Sequence, residues 1–358
     1  MKINEFRKIL EVKNCDFALF YNSDQKASPN LFYFSGYKGI GALVVPANKP
    51  PFLVAPEMEF ERAKKSVWNG FFRVYKMEKK KFFESVYAHV RKNRLKAKSI
   101  AIDKNNFTLN SYRRFKKQFK NVKVKDISES CLKLRQVKAE KEIAFLTKSC
   151  SYADKILKKA INIFGDFKTE SGAAAFLEYE TRKLGLELSF TPIVASGKNA
   201  SMPHHEPSSS KIKKGFCVLD FGVKYMGYCS DITRTIYVGN PGKKEKGIYE
   251  FLLKIQENAI NEIKWNKKCS ELYDYVNSSL GKYKNNFTHG LGHGLGVEIH
   301  ELPNLTLNSK ARIENNMVFT IEPGIYFPSK FGIRIEDTVL FKNKPVALTK
   351  LDKDLIIK

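Results

Sequence analysis

The sequence predicts an α/β domain over residues 1–126, followed over 133–358 by an α+β domain of helices on a curved antiparallel sheet. Three observations point there. Strand-like and helix-like runs alternate through the first part of the chain. Two long amphipathic helical stretches follow, and beyond them the strand-like runs come in blocks, as in an antiparallel sheet covered by helices. A length of 358 residues suits two domains of the usual ~100–200 residues each.

The opening segment, MKINEFRKILEVKNCDF, breaks its apolar positions with charges and lacks the h-region of a signal peptide. It reads as the first helix and strand of a soluble, cytoplasmic protein. CDFALFY, GIGALVVP, PPFLVAP and SIAID are apolar, β-branched or aromatic runs and are expected to be buried strands. Between them, EFERAKKSVW and KFFESVYAHVRKNRL have helical periodicity. The pattern breaks over 126–135, which marks the domain boundary. A long amphipathic helix is expected over 137–164, a second over 169–184 with Thr169 as its N-cap, and a third over 244–265. The runs FCVLDFGVKYMGYCSDITRTIYVG, MVFTIEPGIYF and GIRIEDTVLF are expected to be antiparallel strands.

Composition narrows the function classes. Hydrophobic residues make up 43% of the chain, ample for a large core, and no run approaches the ~18 apolar residues of a membrane span. Six scattered cysteines without C-x-x-C spacing give neither a disulfide framework nor a thiolate zinc site. The net charge of +26 raises the question of nucleic acid. Its lysines are spread along the whole chain without a recognised binding module, so a solvated surface is the expectation.

The chemistry concentrates in the second domain. Asp220 follows the apolar run FCVL and Asp231 precedes ITRTIYV, both expected on buried strands; Glu322 in FTIEPG and Glu336 in GIRIED are expected inside apolar strands. His293 lies in THGLGHGLG, where glycines permit close backbone approach. Two like charges 4 Å apart repel by about 4 kcal/mol even at an effective dielectric of 20, so four carboxylates gathered in a core need a counter-charge. An oxygen-rich set with one imidazole and no thiolate suits Mn²⁺, Fe²⁺, Co²⁺ or Zn²⁺. Five ligands are too many for one catalytic zinc and about right for two metals with bridging carboxylates.

The order LDFG…SDITRT…THGLGHGLGVEIHE…TIEPGIY…GIRIED, with ligand spacings of 11, 62, 29 and 14 residues, resembles the pita-bread metallopeptidases. These include Xaa-Pro aminopeptidases, prolidases and methionine aminopeptidases. NLFYFSGYKGIGALVV resembles part of a creatinase-type N-terminal domain, and LRQVKAEKEI the junction that follows it; this favours the proline-specific branch. The resemblance implies two divalent metals, Mn²⁺ first among Co²⁺, Zn²⁺ and Fe²⁺. Asp220 would hold one metal, His293 and Glu322 the other, and Asp231 and Glu336 would bridge them. It further implies that His204, His289 and His300 line the substrate site, with His300 stabilising the oxyanion and Glu322 relaying the proton. Arg334 would orient carboxylates from behind, the competing reading being an ion pair with Asp337, and Tyr326 would offer a hydroxyl. His205, Cys217 and Cys229 are expected to be structural, and Glu301 has no assigned role. The implied partners are peptides with proline second and another copy of the chain in a homodimer, with no nucleic acid and no membrane.

Many prolidases carry H-E-x-P-R where this chain reads His300, Glu301, Leu302, Pro303, Asn304. A neutral amide in place of the arginine that would hold a dipeptide's carboxylate puts an Xaa-Pro aminopeptidase first and a dipeptide-specific prolidase second. A non-catalytic binding protein, or a metal-free creatinase-like hydrolase, would be expected to lack ligands that are all present here.

Overall fold

The computed structural model describes residues 2–24, 26–68, 72–78 and 80–358. It divides into two compact units, Met1–Leu134 and Arg135–Lys358. The division lies inside the 126–135 stretch where the sequence pattern breaks, and that break is a helix start. Asp126 accepts the Ser128 N–H at 3.0 Å, and the helix Ser128–Gln136 runs on through the boundary.

In the first unit a six-stranded mixed sheet has the order Arg73–Lys76, Phe52–Ala55, Gly41–Pro46, Phe17–Asn22, Ser99–Ile102, Lys123–Asp126. Phe17–Asn22, Gly41–Pro46 and Phe52–Ala55 are buried along their whole length. That is why they read as continuous apolar runs rather than alternating ones. The two outermost strands, RVYK and KVKD, escaped the sequence reading because a solvated edge carries charge instead of an apolar pattern. Besides Ser128–Gln136, two helices of this unit were missed, each with a legible start. Ser28 and then Pro29 open Pro29–Ser35, which ends on Gly36 at φ +79°, and Thr108 caps Leu109–Gln118.

The second unit has helices Glu140–Asn162, Glu170–Lys183, Lys243–Asn261 and Cys269–Ser279, the last unforeseen. Thr169 Oγ1 accepts the Gly172 N–H at 3.1 Å, the expected N-cap. The antiparallel strands fall into several sheets. One has Gly215–Phe221 between Ile193–Ser196 and Ile232–Val238. A second runs Glu301–Leu305, Gly292–Gly294, Met317–Ile321, Asp337–Lys342, Lys344–Ala347. Gly324–Phe327 and Phe331–Arg334 form a separate two-stranded ribbon. The first helix pair packs on Leu219, Phe221 and Ile232, and the second pair on Phe319, Ile321 and Val339, giving two separate cores.

Threonines close the seam between the sheets. Thr235 Oγ1 donates to the Arg334 carbonyl at 2.8 Å and accepts its N–H at 3.1 Å. Thr338 Oγ1 donates to the Asp231 carbonyl at 2.7 Å. Buried backbone groups without ladder partners are thereby satisfied. No helix among the described residues is long and apolar enough to cross a membrane.

Candidate metal centre

Three of the carboxylates expected inside strands sit at strand ends instead. Asp231 immediately precedes Ile232–Val238, Glu322 immediately follows Met317–Ile321, and Glu336 lies between Phe331–Arg334 and Asp337–Lys342. Only Asp220 is within a strand, opposite Thr233 and Ile193. Where ladders stop, side chains from both sheets can turn toward one point.

The structure brings all five candidate ligands to the wall of one cavity of about 330 Å³, together with His204, His289, His300, Asn304 and Arg334. His293 Nε2 is 3.5 Å from both Asp231 Oδ2 and Glu322 Oε1. Donor atoms of Asp231, His293 and Glu336 lie within 4.8 Å of one another, close enough to share an ion. Its other ring nitrogen, Nδ1, contacts the Gly294 carbonyl at 3.1 Å. A carbonyl only accepts, so Nδ1 carries the proton and Nε2 keeps a lone pair facing the carboxylates, the arrangement metal-binding histidines use.

Two further observations fit cations here. Asp220 Oδ1 and Asp231 Oδ1 are buried without any hydrogen-bond partner, a costly state for a carboxylate unless an ion answers it. Burial, and then the mutual repulsion of the cluster, push Asp231 and Glu336 well above the usual carboxylate range. Burial likewise lifts Glu322 to about 7 despite the opposing charge of Arg334. These residues therefore suit a divalent-metal pair.

Other side chains, several missed from sequence, fix this set. Thr233 Oγ1 donates to Glu336 Oε2 at 2.7 Å and accepts from Arg334 Nε at 3.1 Å. Thr320 Oγ1 accepts the His293 N–H and donates to Glu322 Oε1, each at 3.0 Å. Buried Arg234 donates to the Glu336 carbonyl at 2.6 Å and to Asp337 at 2.8 Å. The signal for all three was polar side chains in apolar strands, notably the Thr-Arg-Thr of ITRTIYV. Arg334 pairs with Asp220 at 2.7 Å, and Asp337 is taken by Arg234 and Lys353, so the competing Arg334–Asp337 pair is not formed.

Arg334 also donates to the Tyr326 oxygen at 2.9 Å. The Tyr326 hydroxyl in turn meets His289 Nε2 at 2.9 Å, while His289 Nδ1 meets the Gly290 carbonyl at 2.8 Å. Burial holds His289 down to about 4, so it is neutral near pH 7; Nδ1–H serves the carbonyl and Nε2 accepts from Tyr326. His300 is held below its ordinary value by burial too, and its ring stands edge-on to that of His293, with centroids 4.3 Å apart. His204 lines the cavity, whereas His205 bonds the buried Glu170 at 2.8 Å. Cys217 and Cys229 are buried free thiols, raised by burial.

The model of metallopeptidase family M24 matches residues 144–343, and that of the creatinase/prolidase N-terminal domain matches residues 2–137. The chain belongs to metallopeptidase family M24. Its fold is the pita-bread architecture, preceded along the chain by a creatinase-like domain, and members of the family depend on a pair of metal ions. The chain is similar to the Xaa-Pro dipeptidase of Pyrococcus horikoshii, at 35% identity over 335 residues and 92% of each chain. Among solved structures it resembles the X-Pro aminopeptidase of Thermotoga maritima, with TM-score 0.89 and 30% identity over 96% of this chain and 98% of that one. It also resembles the prolidase of P. horikoshii, with TM-score 0.88 and 32% identity over 99% of both.

Proposed function

We propose that this M24 metallopeptidase hydrolyses the bond before proline in Xaa-Pro dipeptides. The observation that carries the reaction type is the gathering of four carboxylates and His293 under three cavity histidines. Two features support a dipeptide. The cavity, about 330 Å³, is at the small end of ligand sites, which run ~300–1,000 Å³. Two of the three similar proteins above carry dipeptidase or prolidase names. This reverses the order of the sequence reading, which put an aminopeptidase first.

Asp220, Asp231, His293, Glu322 and Glu336 would hold a pair of divalent ions, Mn²⁺ first among those the ligand set suits, which would supply Lewis acidity and lower the pKa of water toward neutral. Glu322, at the cavity wall, would accept a proton and return it to the leaving nitrogen. His300 donates an N–H to the oxygen of the scissile carbonyl as negative charge develops there. His204, which lines the cavity, binds the substrate, and Tyr326, locked between Arg334 and His289, holds those two side chains. Proline's tertiary amide offers no N–H, so recognition rests on shape and on the carbonyl.

His300→Ala is expected to lower kcat by on the order of 10²–10³, the usual loss of one oxyanion donor, with metal content unchanged. Wild-type turnover in that variant would remove His300 from the mechanism.

Asn304 supports a second reading. It lines the cavity, and a neutral amide cannot make the bidentate, charge-assisted pair that arginine offers a carboxylate. Acceptance of longer peptides follows if no other cation holds the terminus. Comparing kcat/KM for Ala-Pro and Ala-Pro-Ala decides. A preference for Ala-Pro of about tenfold, or ~1.4 kcal/mol, is expected of the dipeptidase, and equal or better cleavage of Ala-Pro-Ala would make it an aminopeptidase.

A further inference from the structure

Two cations of the junction segment LRQVKAEKEI, Arg135 and Lys138, are buried and have no part in the reaction. Their side chains are only 2% and 1% exposed, and both point at Glu301, which is 1% exposed. Arg135 Nε lies 3.5 Å from Glu301 Oε1, and Lys138 Nζ donates to Oε2 at 3.1 Å and to the Arg135 carbonyl at 2.7 Å. Arg135 also pairs with the Glu298 carboxylate, and the Glu298 N–H donates to Glu301 Oε1 at 3.2 Å. Desolvation offsets most of the attraction in such a buried cluster, so stability alone is a poor reason for it, and holding one geometry is a better one.

The geometry held is that of the turn bearing His300. Glu301 begins the strand Glu301–Leu305, which pairs with Gly292–Gly294, so Gly294 faces Glu301 and His293 faces Asn304. His300 directly precedes this pinned residue. Gly296, at the other side of the turn, packs against the same carboxylate; a Cβ there would come 2.6 Å from Glu301 Oε2. Both sides of the turn therefore close on one ion cluster, and the cluster is set by the junction segment.

We propose that Glu301, held by Arg135 and Lys138, is a positioning residue that fixes the His300 ring beside His293. The proposal rests on the role given to His300 above. A double-mutant cycle on the full-length, Mn²⁺-loaded protein with Ala-Pro as substrate tests it. Glu301→Gln is expected to lower kcat by about 10–100-fold, the usual effect of an outer partner, with metal content unchanged. In the His300→Ala background the same change is expected to cost less than about twofold, because the residue it positions is gone. In metal-free protein, the His300 ring-proton resonances should shift in Glu301→Gln as the His300 ring moves relative to the His293 ring it now meets edge-on.

Effects that multiply in full in the double variant, or unmoved His300 resonances, would overturn the positioning role. Wild-type turnover in His300→Ala alone would instead overturn the function assigned to His300. If Glu301→Gln does not fold, Gly296→Ala takes its place, since it displaces the carboxylate while leaving every charge present. The same loss of effect on His300→Ala is then expected, and full multiplication again refutes the proposal.

Discussion

Chelation followed by thorough removal of metal is expected to abolish peptidase activity and to lower the melting temperature. The stripped site leaves Asp220, Asp231, Glu322 and Glu336 around one cavity, with two carboxylate oxygens buried and unpartnered. Metal that binds only the folded state stabilises it by mass action, about 2.7 kcal/mol at 100 times Kd. The loss should depend on pH in a definite direction. Asp231, Glu322 and Glu336 are raised in the fold, Glu322 to about 7, so the folded metal-free protein holds more protons than the unfolded chain. The contribution of these three groups to its stability is therefore greatest below the ordinary carboxylate range and falls as pH rises from there through about 7. Metal binding needs these groups ionised and strengthens over the same interval. The gap in melting temperature between loaded and stripped protein should widen from pH 5 to pH 8. Full activity in a sample shown metal-free by elemental analysis would remove the metal reading, and a gap that narrows with rising pH would contradict the cluster's electrostatics.

Arg334→Met is expected to cost about 3–5 kcal/mol of stability, the range for removing one partner of a buried ion pair. Arg334 is 3% exposed, and its guanidinium serves Asp220, Tyr326, Thr233 and the Pro203 carbonyl together. Methionine fills much of the volume, so the loss reports charge and hydrogen bonds more than a cavity. Arg334→Lys keeps the charge but not the planar fork, and it should recover only part of the loss. Activity should fall with stability, because Asp220 loses the donor at Oδ2 and the Tyr326–His289 pair loses its anchor. Urea unfolding of wild type and both variants, with and without metal, measures the effect. A change below about 1 kcal/mol in Arg334→Met, as for an exposed pair, would show that this guanidinium is not holding the site.

Much of the site was legible because its signal is local. A carboxylate beside an apolar run, or a histidine between glycines, violates burial rules wherever the chain goes. Asp220, Asp231, His293, Glu322 and Glu336 all carried that signal and all line the cavity. The strands of the first unit were legible for the same reason when buried on both faces, and illegible at the edges, where RVYK and KVKD have a solvated strand's composition. The helix Cys269–Ser279 buries only Cys269, Leu272 and Val276, too thin an apolar stripe to stand out. The order of preference between dipeptides and longer peptides rested on one residue, Asn304, and cavity size was not available from the chain.

By itself the sequence determined the two-domain class and the candidate ligands and histidines that come to line one cavity, since residue type and short-range periodicity are local properties. Only the tertiary structure decided which groups meet. Arg334 chooses Asp220, 114 residues away, over Asp337, three residues away, because its strand end faces the Gly215–Phe221 sheet. Glu301 gained its partners from a junction 163 residues upstream. The tautomers of His289 and His293 follow from single backbone carbonyls. Each of these depends on strand register and on how separate sheets converge, and periodicity along one segment holds no record of the segment it will face.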